Sequence, residues 1–128
     1  MKKEFDFWQD HSDTFLTMAY LYDRQEVIDK PDGYGSKTGD CGDTITIYLQ
    51  IHNGCIKQLR FKLEGCLNTN ACCNALAQLI EGKPLEKSWD ITPSQLIDYL
   101  ETLPSDHHHC AELTVGTYYL ALASVKKE

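Results

Sequence analysis

The spacing of hydrophobic residues changes period several times along the chain, and each change predicts an element. From Asp13 to Ile28, Phe15, Met18, Ala19 and Tyr22 recur at helical spacing and predict an amino-terminal helix with one apolar, core-facing stripe. Between Asp29 and Gly42 the apolar residues thin out around Pro31, Gly33, Gly35, Gly39 and Gly42, so regular structure should lapse or shorten to an edge strand. Strict alternation follows: Ile45, Ile47, Leu49 and Ile51 point one way, and Thr44, Thr46, Tyr48 and Gln50 the other. Asn53-Gly54 then supplies a dipeptide suited to the positive φ angles of a tight hairpin, and Leu59, Phe61 and Leu63 alternate on the return strand.

After Gly65-Cys66 the period becomes helical again. Asn68 or Thr69 can cap, and Cys72, Ala75, Leu76, Leu79 and Ile80 line one side before Gly82. Thr92-Pro93-Ser94-Gln95 reads as a capping box with proline at the first helical position, leading into Leu96, Ile97, Leu100 and Leu103 and stopping at Pro104. A last helix should begin near His109 or Cys110 and run through Leu113, Thr117, Leu120 and Ala121 to about Val125, with Gly116 a weak or close-packed point. Helices must cover the apolar face of the hairpin. The expected fold class is therefore α+β: a compact two-layer domain with a small antiparallel sheet covered on one face by helices.

Composition narrows the function. A chain of 128 residues with 42% hydrophobic and 24% charged residues reads as a single globular domain over 1–128. Its net charge of −7 repels phosphate backbones, which counts against nucleic acid and against an anionic membrane surface as partners. No apolar run approaches the roughly 20 residues of a bilayer span and no secretion signal opens the sequence, so the expected location is cytoplasmic. Six cysteines in such a chain call for an explanation other than secreted disulfides. Buried thiols, a metal site and thiol chemistry all remain open on the count alone.

Position divides the cysteines. Cys41-Gly42-Asp43 precedes the first strong strand, Gly65-Cys66 follows the second, and His109-Cys110 stands at the mouth of the last helix. An antiparallel hairpin returns the chain to its starting end, so Cys41 and Cys66 can meet there, and the last helix can bring His109 and Cys110 across. Thiolates with an imidazole or carboxylate suit zinc or iron, and thiolates hold iron–sulfur clusters. A helix amino terminus also favours Cys110 as thiolate. Cys72 falls on the core face of its helix, Cys73 can face either way, and Cys55 lies at the far end of the hairpin. His107 and His108 fit solvated loop residues, outer hydrogen-bond donors or alternate ligands.

The sequence resembles the iron–sulfur cluster scaffold family represented by IscU and the amino-terminal domain of NifU. The likeness rests on a loose match near residues 19–29, on Cys41-Gly42-Asp43, on Arg60-Phe61-Lys62 through Gly65-Cys66, and on Leu103-Pro104 followed by His109-Cys110. It implies Cys41, Cys66 and Cys110 as the three essential cysteines, Asp43 as a ligand that keeps the cluster transferable, and His109 as the histidine before the third cysteine. It further implies a transient [2Fe-2S] cluster built from iron and from sulfur delivered by a cysteine desulfurase. The cluster would be passed to apo iron–sulfur acceptor proteins, with an iron donor possible and zinc able to occupy the isolated protein. Leu103-Pro104-Ser105-Asp106-His107 departs from the Leu-Pro-Pro-Val-Lys segment of the family, which counts against an Hsp70-type chaperone as partner. The implied role is non-enzymatic. Its rival is a zinc-binding interaction or regulatory protein of the same fold. A thiol hydrolase with Cys110 as nucleophile and His109 as base would leave the other converging cysteines without a role.

Overall fold

A computed structural model describes residues 11–40 and 42–125. Strands β1 (Gly33–Thr38), β2 (Thr44–His52) and β3 (Cys55–Glu64) form one antiparallel sheet in the order β1-β2-β3. Thr38 pairs with Thr44 across β1 and β2, and Thr44 pairs with Glu64 across β2 and β3, so the β1–β2 loop and the exit of β3 share one end of the sheet. The hairpin turn is at Asn53 and Gly54, both with positive φ, at 52° and 75°. A register shift between Gln50 and Ile51 interrupts the alternation and leaves Ile51 only half-buried.

The helices are α1 (Asp13–Ala19), α2 (Leu67–Ile80), α3 (Leu85–Ser88), α4 (Pro93–Leu100) and α5 (His108–Ser124), with a 3-10 turn at Ser105–His107. Ile45, Ile47, Leu49, Leu59 and Phe61 from the sheet are fully buried beneath Cys72, Ala75 and Leu76 of α2 and Ala111, Tyr118 and Ala121 of α5. Each large apolar side chain so enclosed contributes about 1.5–3 kcal/mol. The opposite face carries Tyr34, Ser36, Thr46 and Gln58, exposed or half-exposed, so the helices cover one face of the sheet as expected of the α+β class. Gly33 and Gly35 let α5 lie directly on β1: a Cβ on Gly35 would stand 2.6 Å from the Ala121 nitrogen and 2.8 Å from the Thr117 carbonyl oxygen.

The structure departs from the periodicity in four places. First, the helix expected over Asp13–Ile28 ends at Ala19, and Tyr22 is exposed. Asn70 Nδ2 donates to the carbonyls of Ala19 and Leu21, and Asn74 Nδ2 to those of Met18 and Leu21, so buried side chains of α2 take over the carbonyls a longer helix would use. The freed segment closes the sheet instead, where the Arg24 carbonyl accepts from the Phe61 amide of β3. Second, α2 starts at Leu67 with Cys66 as its N-cap residue and no side-chain cap, in place of Asn68 or Thr69.

Third, Leu120 is exposed. The carboxyl half of α5 turns Thr117 and Ala121 to the glycines of β1, which rotates Leu120 outward. Fourth, α4 opens with the expected capping box, in which Thr92 N donates to Gln95 Oε1 at 2.8 Å and Gln95 N to Thr92 Oγ1 at 3.4 Å. It ends at Leu100, before Leu103 and Pro104, because Glu101 takes a φ of 65° and Ser12 Oγ donates to the Leu100 carbonyl.

Candidate metal centre

Three elements deliver side chains to the end of the sheet shared by the β1–β2 loop and the exit of β3. Asp43 leads into β2, Cys66 stands at the N-cap of α2, and Cys110 is the third residue of α5. Thr69 Oγ1 lies 3.6 Å from Cys110 Sγ, and one turn further on Cys73 Sγ lies 4.0 Å from Thr114 Oγ1, so α2 and α5 run side by side in the same direction with both amino termini at the site. Gly65 is small because Asp43 is close: a Cβ there would stand 2.9 Å from Asp43 Oδ2.

Cys66, His107 and Cys110 offer ligand atoms that all lie within 4.8 Å of one another. His107 Nδ1 is 3.9 Å from Cys110 Sγ, and His109 Nε2 reaches the same sulfur at 3.7 Å. Cys66 is exposed, whereas Cys110 is buried. The Thr69 hydroxyl donates to Asp43 Oδ2 at 2.8 Å and sits 3.6 Å from each of the Cys66 and Cys110 sulfurs, so it links the carboxylate to both thiols. Partial burial pushes the Cys66 thiol up, but hydrogen bonds from the backbone and side chains of Thr69 and Asn68 outweigh burial and bring it below the ordinary thiol value.

Of the site residues expected from the sequence, Cys66, Cys110, His109 and Asp43 gather at this end, with Asp43 joined through Thr69. Cys41 lies outside the described residues. Cys55 pairs with His52 beside the hairpin turn and bridges to Pro84, at the opposite end of the sheet. Cys72 and Cys73 are fully enclosed, and burial holds both thiols far up, that of Cys73 to about 12. His108 turns to the Leu103 carbonyl at 3.3 Å. Sequence reading gave Thr69 only as a helix cap and left the role of His107 open. The signal for both was a spacing of three from a cysteine, Cys66 to Thr69 and His107 to Cys110, which puts two side chains on one helical face. Thiols and an imidazole at this separation are a donor set suited to zinc or ferrous iron.

The fold and the site together define a small α+β protein that presents a thiol and imidazole cluster where two helices begin. The chain belongs to the family described as the NifU-like N terminal domain, whose family model matches residues 24–128. It is 31% identical over 99 residues to the iron–sulfur cluster assembly scaffold protein IscU of Aquifex aeolicus, covering 75% of this chain and 63% of that one. The corresponding IscU of Haemophilus influenzae is 32% identical over 87 residues, covering 67% and 68%. The nitrogen fixation protein NifU of a Nostoc species is 29% identical over 111 residues, covering 80% and 37%. The chain thus spans less than two thirds of the length of two of these three curated relatives. Its fold matches that of a putative SUF-system scaffold protein from Fervidobacterium islandicum with a TM-score of 0.72 at 18% identity, covering 87% and 95% of the two chains. A NifU-like amino-terminal structure from Brucella abortus also gives 0.72, at 16% identity, covering 89% and 92%.

Proposed function

We propose that the chain is a scaffold on which a [2Fe-2S] cluster assembles from iron and desulfurase-derived sulfur before transfer to apo-acceptor proteins. The observation that carries this reading is the meeting of the Cys66 and Cys110 sulfurs with an imidazole at an open end of the sheet, one hydroxyl away from Asp43. Cys41, Cys66 and Cys110 are the proposed thiolate ligands, with Asp43 the oxygen ligand that keeps the cluster exchangeable and His109 beside the third thiolate. Family membership and the scaffold relatives support the same reading. An exposed Cys66 gives iron and sulfur a way in, whereas a closed set of four thiolates would retain its cargo.

The proposed work is ligation and delivery, not turnover, within one domain over residues 1–128. A cysteine desulfurase and apo-acceptors are its partners, and an iron donor is compatible with the site. Leu103-Pro104-Ser105-Asp106-His107 argues against an Hsp70-type chaperone. The cytoplasm, where thiols stay reduced, suits this chemistry. Among the described residues no helix is long and apolar enough to cross a membrane.

Anaerobic reconstitution with iron, cysteine and a desulfurase should yield visible and Mössbauer signatures of a [2Fe-2S] cluster that then appears on an apo-ferredoxin. A folded protein that forms no transferable cluster beside a competent desulfurase overturns the scaffold reading, and retention of zinc alone would favour the zinc-binding interaction role. Cys41→Ser, Cys66→Ser and Cys110→Ser should each impair assembly and Cys55→Ser should not, while Asp43→Ala should slow transfer.

A further inference from the structure

We propose that the open edge of β1, with the flank of α5 beside it, is a docking track on which an extended, cysteine-bearing segment of an apo-acceptor protein adds to the sheet as a fourth strand. The class of partner rests on the scaffold reading; the track rests on the backbone. The Gly39 amide donates to the Asp43 carbonyl at 2.9 Å, and the register that pairs Thr38 with Thr44 makes Gly39 and Asp43 a hydrogen-bonded pair. Such pairs alternate along an antiparallel ladder, so Lys37 and Gly35 also bond to β2, while Thr38, Ser36 and Tyr34 turn their amides and carbonyls out of the sheet. The Tyr34 amide does point outward, donating to Ser124 Oγ of α5 at 2.7 Å. Among the described residues nothing accepts from the outward amides of Ser36 and Thr38, and both residues are exposed. The opposite edge differs, since the Arg24 carbonyl covers it at the Phe61 amide.

Open edge groups are met in register only by another extended chain. The geometry selects a bare strand over a second copy of this protein. α5 lies directly on β1, where a Cβ on Gly35 would stand 2.6 Å from the Ala121 nitrogen. Two copies joined edge to edge would set their β1 strands about 4.8 Å apart, whereas the helices on them need about 8–10 Å, and an inward lysine such as Lys37 guards an edge against its own kind. The track is continuous with the thiol site: one end is a cleft lined by Lys37, Thr38, Asp40, His109 and Glu112, and the other a cleft lined by Gly33, Tyr34, Ser124 and Val125. Between them Leu120 is exposed, and Lys37 lies along Gly116, its Nζ 3.2 Å from the place of a Cβ there. Lys37 has no ion pair or hydrogen bond among the described residues. An antiparallel guest meets this wall at every second residue. A residue in register with Gly39 falls in the cleft beside His109, whose Nε2 is 3.7 Å from Cys110 Sγ; one in register with Lys37 meets its ammonium; one in register with Gly35 meets Leu120. The matching segment therefore carries a cysteine, an acidic residue and an apolar residue at alternate positions, in that order. A cluster-binding loop that lacks its cluster is free to extend in this way.

The test uses the untagged, ¹⁵N-labelled full chain and an apo-ferredoxin. In the complex, hydrogen exchange at the Ser36 and Thr38 amides should slow by more than about tenfold, while the Gly35 and Lys37 amides, already bonded to β2, should not change. Ser36→Pro removes an outward amide and leaves the β1–β2 ladder whole. It should weaken ferredoxin binding by about tenfold or more and slow cluster transfer, with cluster assembly on the scaffold unchanged. Leu120→Asp should weaken binding as well. Unprotected Ser36 and Thr38 amides in the complex, no complex at all, or wild-type binding by a folded Ser36→Pro protein overturns the proposal, and the wild-type exchange decides it even if a variant fails to fold. Protection that grows with protein concentration in the absence of ferredoxin assigns the edge to a second copy and also overturns it. Ferredoxin held along β1 by a protein that assembles no cluster defeats the scaffold reading and leaves the track standing. Normal transfer with both amides unprotected does the reverse.

Discussion

Thr69 is the residue through which the site is wired, since one hydroxyl touches Asp43 and both described thiols. Thr69→Val keeps the shape and removes the hydroxyl. It should cost about 1.5–3 kcal/mol, the range for a hydrogen bond to a carboxylate, as read by urea denaturation. It should also move the pH midpoint of Cys66 alkylation upward, because the Thr69 hydroxyl is one of the groups whose hydrogen bonds lower that thiol, while the Thr69 backbone bond stays in place. An unchanged midpoint would remove Thr69 from the control of Cys66. In the native protein, peptide mapping after brief alkylation should label Cys66 ahead of Cys72 and Cys73, whose burial keeps them protonated. At this scale the sequence was only partly legible. Cys66 and Cys110 could be placed from element ends, and His109 from its adjacency to Cys110, whereas the approach of His107 to the same sulfur shows only once the turn into the last helix is in place.

Among elements, the closest approach is that of α5 to β1, where glycine leaves the space. Gly35→Ala would push a methyl into backbone atoms of Thr117 and Ala121, which cannot rotate aside, so overpacking should cost about 1–3 kcal/mol in chemical denaturation. A loss below about 0.5 kcal/mol would mean that α5 slides freely on the sheet. The hairpin and the α4 cap were readable because alternation, Asn53-Gly54 and the Thr92 to Gln95 spacing are local signals. The end of α1 was not readable, because it is decided by Asn70 and Asn74, some fifty residues away along the chain. The outward turn of Leu120 follows from a strand too short and glycine-rich to carry a strong pattern of its own.

For the whole molecule, alkali should be the weak direction. Burial first, with repulsion from Tyr119 added and an interaction with Ser88 opposing, pushes the Tyr118 hydroxyl from 10.0 up to about 12, and burial pushes Cys73 from 9.0 to about 12. An unfolded chain releases both protons near pH 9–10 and the folded chain holds them to about 12, so the stabilisation is intact below pH 9 and lost as pH rises through 12. Denaturation midpoints should fall steeply over that interval, and Tyr118→Phe should flatten part of the fall; coincident profiles would exclude Tyr118 as a cause. The parallel course of α2 and α5 carries a different consequence. Two aligned helix dipoles side by side repel, and their positive ends are concentrated at one point of a protein whose net charge is −7. Negative charge there, as thiolate or sulfide, relieves that repulsion with backbone amides rather than lysines, so the fold is electrostatically most at ease when the thiols at this end are ionised.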